Sequence, residues 1–282
     1  MRKYDFVFSL GYCCTCSEAL RAEGLQNASF PFDWAGISSL EQAVSVVSDD
    51  FADWFDRDLL DLWDVRILGG FVTRVYRNRK TGIGFVHDFS NAEPIETTYD
   101  RVRQRYDRRI GRFRECMRSA NRILAVYLET PKSARLTDDR LEAARSLLCK
   151  RYPGKTIDLL YMYEDPACSR WEADPVVHEG VTAVRMDYRV FLNGELMHLC
   201  RNDQVRDCMR NLVSLVNAEP AEVRAKFAFE KRNELQRALG KSRFEQWVNK
   251  KLRQWFRDIE AYLETQKIMP GDRPLWFDGD GK

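Results

Sequence analysis

Between residues 122 and 186 the chain alternates short, continuously apolar runs with a longer helical stretch. Arg122 to Leu128, Thr156 to Tyr163 and Val181 to Met186 read as buried strands, and Asp138 to Tyr152 reads as a helix. Strands that are apolar on both faces and separated by helices predict an α/β fold, a mostly parallel Rossmann-like sheet flanked by helices. The start of the chain extends the pattern. Tyr4 to Leu10 is rich in β-formers and stops at Gly11, and Thr15-Cys16-Ser17-Glu18 has capping-box spacing that opens a short helix closed by Gly24. With Thr15 as the cap, Cys14 falls in the preceding loop and Cys16 in the first helical position.

Ser38-Ser39-Leu40-Glu41-Gln42 starts a second helix. From Val65 to Phe89 the period shortens around Asn78-Arg79-Lys80-Thr81-Gly82, which predicts a β-hairpin inserted in the α/β domain. Tyr99, Val102, Tyr106, Ile110, Phe113 and Met117 then fall on one helical stripe, with Arg101, Arg105, Arg108, Arg109 and Arg112 on the adjoining face. Beyond Asp203 the pattern is helical almost throughout, with Pro220 near a helix start and Gly240 at a break. The resulting division is an α/β domain over 1–200, with the hairpin at 65–89, and a helical extension over 201–282 packed on it. The Trp-rich stripe from Phe244 to Leu263 suits that packing or a homodimer.

Composition limits the function classes. The 282 residues carry 45 Lys+Arg against 43 Asp+Glu, so a net charge of +2 gives no bulk attraction for nucleic acid. Arginine supplies 33 of those 45 cations, and its planar fork suits local contact with carboxylate or phosphate. No window approaches the roughly 18 apolar residues of a membrane span, and Met1-Arg2-Lys3 is followed by too short an apolar stretch for a secretory signal. The expected address is the cytoplasm, where the eight cysteines would be reduced. Cys13, Cys14 and Cys16 with His198 and Cys200 lack the paired spacing of a zinc or iron–sulfur site, so no metal or cofactor is expected.

In an open α/β sheet, ligands gather beyond the carboxyl ends of the strands. The residues placed there are Cys13, Cys14 and Cys16, then Glu129, Glu164, Asp165 and Asp187. A thiol near a helix N-terminus faces free N–H groups that favour the thiolate, and a nucleophilic thiolate needs a base, for which His87, His178 and His198 are the choices.

Ser9-Leu10-Gly11-Tyr12-Cys13-Cys14, Leu20-Arg21-Ala22-Glu23-Gly24-Leu25 and Phe30-Pro31-Phe32-Asp33-Trp34 together resemble the opening signature of a bacterial family described as papain-like cysteine peptidases. The likeness continues through Phe85-Val86-His87-Asp88-Phe89 and the segment from Tyr106 to Phe113. It implies a Cys-His pair in which Cys14 attacks a carbonyl and His87 takes and returns the proton, with Asp33 or Asp88 as orienter. Cys13 and Cys16 depart from a lone signature cysteine. The leading expectation is a cysteine-dependent hydrolase or acyl transferase acting on an amide, ester or thioester, with Trp34, Glu129, Arg108 and Arg112 contacting substrate. The competing expectation is a group transferase for an anionic nucleotide sugar or glycan, with Cys14 structural.

Overall fold

The computed structural model describes residues 2–12, 14–26, 28–68, 71–90, 93–130, 133–176, 178–187 and 203–215. Cys13, Gly69, Gly70, His198, Cys200 and the helices expected from Pro220 onward lie outside the described residues. The elements in chain order are β1 (Arg2–Tyr4), β2 (Phe6–Ser9), α1 (Cys14–Ala22), a 3-10 turn (Pro31–Trp34), β3 (Ala35–Gly36), α2 (Leu40–Ser48) and a second 3-10 turn (Arg57–Leu59). They continue with β4 (Leu60–Leu68), β5 (Phe71–Asn78), β6 (Gly84–Ser90), α3 (Ile95–Ser119), β7 (Arg122–Leu128), α4 (Asp138–Arg151), β8 (Thr156–Glu164), β9 (Glu172–Ala173), β10 (Val181–Met186), α5 (Asp203–Leu212) and β11 (Val213–Leu215).

The continuous apolar runs became the parallel sheet. β2, β7, β8 and β10 pair in parallel in that order, and β9 adds an antiparallel edge. Phe6 lies opposite Ile123, Leu128 opposite Met162, and Val181 opposite Leu159. Alternate residues of β7 feed two cores, as a strand buried on both faces requires. Ile123, Ala125 and Tyr127 pack with residues of α2, α3 and α4, while Leu124, Val126 and Leu128 pack with Cys16, Ala19 and Leu20 of α1 and Val205, Cys208 and Met209 of α5. The chain is thus a mixed α/β fold whose mostly parallel sheet is flanked by helices. Its parallel strands, β2, β7, β8 and β10, advance in one direction; among the described parallel strands there is no reversal of the kind that defines a doubly wound Rossmann sheet.

The expected single strand from Tyr4 to Leu10 divides at Asp5, whose carboxylate accepts from the N–H groups of Asn121 and Arg122 at 3.0 and 2.9 Å. β1 instead pairs in parallel with β11. The expected hairpin is a larger unit, a four-stranded antiparallel sheet in the order β3-β6-β5-β4. Its predicted turn is present. Gly82 has φ 71°, its N–H donates to the Asn78 carbonyl at 2.7 Å, and Asn78 Oδ1 accepts from the N–H groups of Lys80 and Thr81. On α2, Ser39 caps through Gln42 N–H as its spacing predicts. On α3, Val102, Tyr106, Ile110, Phe113 and Met117 are buried as the apolar stripe requires.

Candidate functional site

Two backbone hydrogen bonds lay the loop before α1 on the end of β7: Leu10 N–H to the Val126 carbonyl at 2.7 Å and Tyr12 N–H to the Leu128 carbonyl at 3.3 Å. The helix that follows has Cys14 as its first residue. The expected cap at Thr15 is therefore corrected: Thr15 is a buried residue of the first helical turn, and Cys14 opens the helix. Gly24 (φ 71°) closes it, with Gly24 N–H on the Arg21 carbonyl and Leu25 N–H on the Leu20 carbonyl.

Cys14 keeps 7% of its surface exposed. Cys16 is fully buried, its thiol 3.7 Å from the Val126 carbonyl. The glycine before the helix permits that packing, since a Cβ on Gly11 would stand 2.4 Å from Cys16 Cβ and 2.9 Å from its Sγ. Ser17 Oγ lies 2.8 Å from the Cys14 carbonyl and 3.2 Å from the Asp33 carbonyl, which ties the helix start to the 3-10 turn.

His87 is placed by an irregularity in β6. Arg74 pairs with Phe89 and Tyr76 with Phe85, so one residue of β5, Val75, faces three of β6: Val86, His87 and Asp88. In a regular strand Phe85, His87 and Phe89 would share a face, and the histidine would enter the aromatic core. The bulge breaks that phase. Phe85, Asp88 and Phe89 are buried, and His87 is exposed with its ring 6.0 Å from that of Trp34, the two planes at 83°. Trp34 is brought there by the pairing of Ala35 with Phe85, and the Arg21 guanidinium lies over its ring at 5.3 Å.

The two carboxylates expected beside the histidine are engaged elsewhere. Asp33 is fully buried, and its Oδ2 accepts from Arg21 at 2.5 Å, Gln26 at 2.7 Å and Phe30 N–H at 2.8 Å. Burial pushes its carboxyl above the ordinary range, opposed by Arg21, the Phe30 N–H, Gln26 and Arg109. Asp88 accepts from Tyr106 at 2.6 Å and Arg105 at 3.0 Å, anchoring β6 to α3. Neither hydrogen-bonds His87. His178 stands 3.8 Å from Asp139 at the start of α4, in a different setting.

Of the four residues expected to meet substrate, Trp34 lies against His87, and Glu129 lies just past the Leu128 carbonyl that receives the Tyr12 N–H. The Glu129 carboxylate is buried and accepts from Thr130 N–H at 2.8 Å and Tyr161 at 3.1 Å; burial raises its pKa. Arg112 donates to the Ser29 carbonyl at 2.6 Å, and Arg108 is exposed. The arginine face of α3 is largely turned to internal ties, with Arg101 on Glu93, Arg105 on Asp88 and Arg109 buried over the Tyr106 ring.

Ser17, Arg21 and Gln26 escaped the sequence reading. The first two carried a signal, falling three and seven residues after Cys14 and so on its face of α1. Among the described residues no group of three or more His, Cys, Asp or Glu is arranged to hold a metal ion, and no helix is long and apolar enough to cross a membrane.

Residues 5–138, which include Cys14, Asp33, Trp34, His87 and Asp88, match the model of a protein family described as "Putative papain-like cysteine peptidase". No curated protein and no solved structure matches the chain.

Proposed function

We propose that the protein is a cysteine-dependent hydrolase in which Cys14 is the nucleophile and His87 the general base and acid. The observation that carries this reading is one continuous framework. Cys14 opens α1, Ser17 and Arg21 of the same helix face hold Asp33 and Trp34, and Trp34 meets His87. A sulfur at a helix N-terminus is favoured as thiolate by the dipole and the free N–H groups, and the family match covers both members of the pair.

In the proposed reaction His87 removes the thiol proton, and Cys14 Sγ bonds to the substrate carbonyl carbon. The carbon–nitrogen, carbon–oxygen or carbon–sulfur bond to the leaving group breaks, and the leaving group departs with the proton that His87 returns. Water then gives His87 a proton and attacks the thioester, releasing the acid and restoring the thiol. An acceptor nucleophile in place of water makes the same site an acyl transferase. Asp33 acts in this scheme as the clamp on Arg21 and Trp34, and Asp88 as the anchor of the bulged strand. A transferase for anionic donors has less support, because the α3 arginines it would use hold Glu93, Asp88 and the Ser29 carbonyl.

The test uses the protein's own thiols as references. Cys116 and Cys149 are more exposed than Cys14. Iodoacetamide at about neutral pH, read by peptide mass mapping, should nonetheless label Cys14 at least about tenfold faster than either, and His87→Ala should remove that advantage. Labelling that follows exposure alone would end the proposal.

A further inference from the structure

We infer that a cleft remote from Cys14 binds a small organic phosphate. It lies where α3 ends ahead of β7 and α4 ends ahead of β8, at the amino edge of the parallel sheet, whereas Cys14 follows β2 at the carboxyl edge. Its volume is about 340 Å³, within the range of small-molecule sites. Arg114 and Arg118 reach it from the last two turns of α3, Arg151 from the last residue of α4 and Lys155 from the loop ahead of β8. Buried Met117, the Tyr152 ring and Pro153 give it an apolar lining.

Helix capping accounts for only part of this charge. A helix C-terminus carries about half a negative charge, so the ends of α3 and α4 together call for about one cation, and the cleft holds four. Asp50 takes up another: Arg114 Nε donates to its Oδ1 at 3.0 Å, and Arg151 Nη2 stands 3.6 Å from the same oxygen. Glu115, outside the cleft, pairs with Arg118 in an exposed contact of the kind worth little. Lys155 Nζ donates to the Arg118 carbonyl at 2.7 Å and stands in the field of Asp5, whose carboxylate is committed to the N–H groups of Asn121 and Arg122. A positive surplus remains.

The arrangement selects the anion. A carboxylate needs one guanidinium fork, whereas cations arriving from two helix ends and a loop suit a tetrahedral group with three outward oxygens. The Tyr152 hydroxyl adds a neutral donor. Its oxygen is buried with no hydrogen-bond partner among the described residues, and burial raises its pKa, opposed by Arg151, so the phenol keeps its proton. The cluster is also held in place. Arg114 Nη2 donates to the Asp50 carbonyl at 3.0 Å, and the adjacent Phe51 is buried 5.4 Å from the Phe113 ring. The apolar lining takes the body of an ester, which inorganic phosphate lacks.

The experiment is equilibrium dialysis of phenyl phosphate against the full chain at about pH 8, where the probe is a dianion, with inorganic phosphate as competitor at fixed ionic strength. Phenyl phosphate should bind saturably and at least about tenfold more tightly than inorganic phosphate. Arg151→Gln and Lys155→Gln should each weaken it about tenfold, while Cys14→Ser, at the other edge of the sheet, should leave it within about twofold. Both cation substitutions fall at partly exposed positions, so melting midpoints within about 2 °C of the parent are expected and distinguish a lost site from a lost fold. No saturable binding below about 10 mM overturns the proposal. Equal affinity for the two probes overturns the organic body of the ligand, and an affinity that survives in either folded cation variant, or falls in Cys14→Ser, overturns the placement in this cleft. None of these outcomes bears on the Cys14 alkylation test, so the hydrolase reading stands or falls separately.

Discussion

Asp33→Ala tests how tightly the two sides of the candidate site are tied. The wild-type carboxylate is fully buried and its partner Arg21 only 15% exposed, so the pair sits in the regime where removing one member leaves an uncompensated charge. Such breaks cost about 3 to 5 kcal/mol. The same substitution also strands the Gln26 amide and the Phe30 N–H, both of which donate to Asp33 Oδ2, which places the expected loss toward the upper part of that range. In a chain of this size about 1 kcal/mol moves the midpoint by roughly 2 to 4 °C, so a fall on the order of 10 °C is expected in differential scanning calorimetry. Adding Arg21→Met should recover part of it, because the orphaned guanidinium is then gone and coupled partners are not additive. A midpoint within about 2 °C of wild type, or a double variant as costly as the sum of the singles, would refute the claim that this ion pair holds the 3-10 turn to α1.

Two further outcomes follow from neighbouring residues. Burial raises the Glu129 pKa, so between the ordinary glutamate value and the raised one the native state holds a proton that the unfolded chain has released. Its contribution to stability therefore falls as pH rises above the ordinary glutamate value, and Glu129→Gln should gain stability relative to wild type over that rise in urea titrations; a constant difference contradicts the assignment. Gly11→Ala should cost about 1 to 3 kcal/mol through its clash with Cys16, and Cys16→Ala should not rescue it, because the 2.4 Å approach is to Cβ and not to sulfur. Full rescue by that second change, seen in the same melts, would place the conflict elsewhere.

The parallel sheet was legible because strands buried on both faces announce themselves as unbroken apolar runs; β7 begins and ends at the expected Arg122 and Leu128, and β10 at Val181 and Met186. α3 was legible for the complementary reason, a stripe at helical period from Tyr99 to Met117. The antiparallel sheet was read only as a hairpin from Val65, because its first strand does not alternate cleanly. β4 begins at Leu60, its register shifts between Leu62 and Asp64, and it leaves Leu62 and Val65 exposed. The start of α1 was misplaced by two residues because Thr-x-x-Glu spacing is a local signal, whereas the pairing of Leu10 and Tyr12 with β7 is tertiary.

The candidate site divides along the same line. Cys14, His87, Asp33 and Trp34 were all identifiable as residues, but which carboxylate served which partner was not, because that choice is made by elements distant in sequence. Tyr106 and Arg105 take Asp88 from 18 and 17 positions away, and they can do so only because the bulge turns Asp88 inward while turning His87 out. The same two extra residues in β6 thus fill the aspartate's hydrogen bonds and leave the histidine facing an indole. A regular strand with this sequence would have buried the imidazole between Phe85 and Phe89 and turned the aspartate outward. The chemistry proposed for Cys14 therefore depends on a backbone irregularity that neither composition nor periodicity encodes, held in place by the Asp88 anchor on one side and by the Asp33, Arg21 and Trp34 stack on the other.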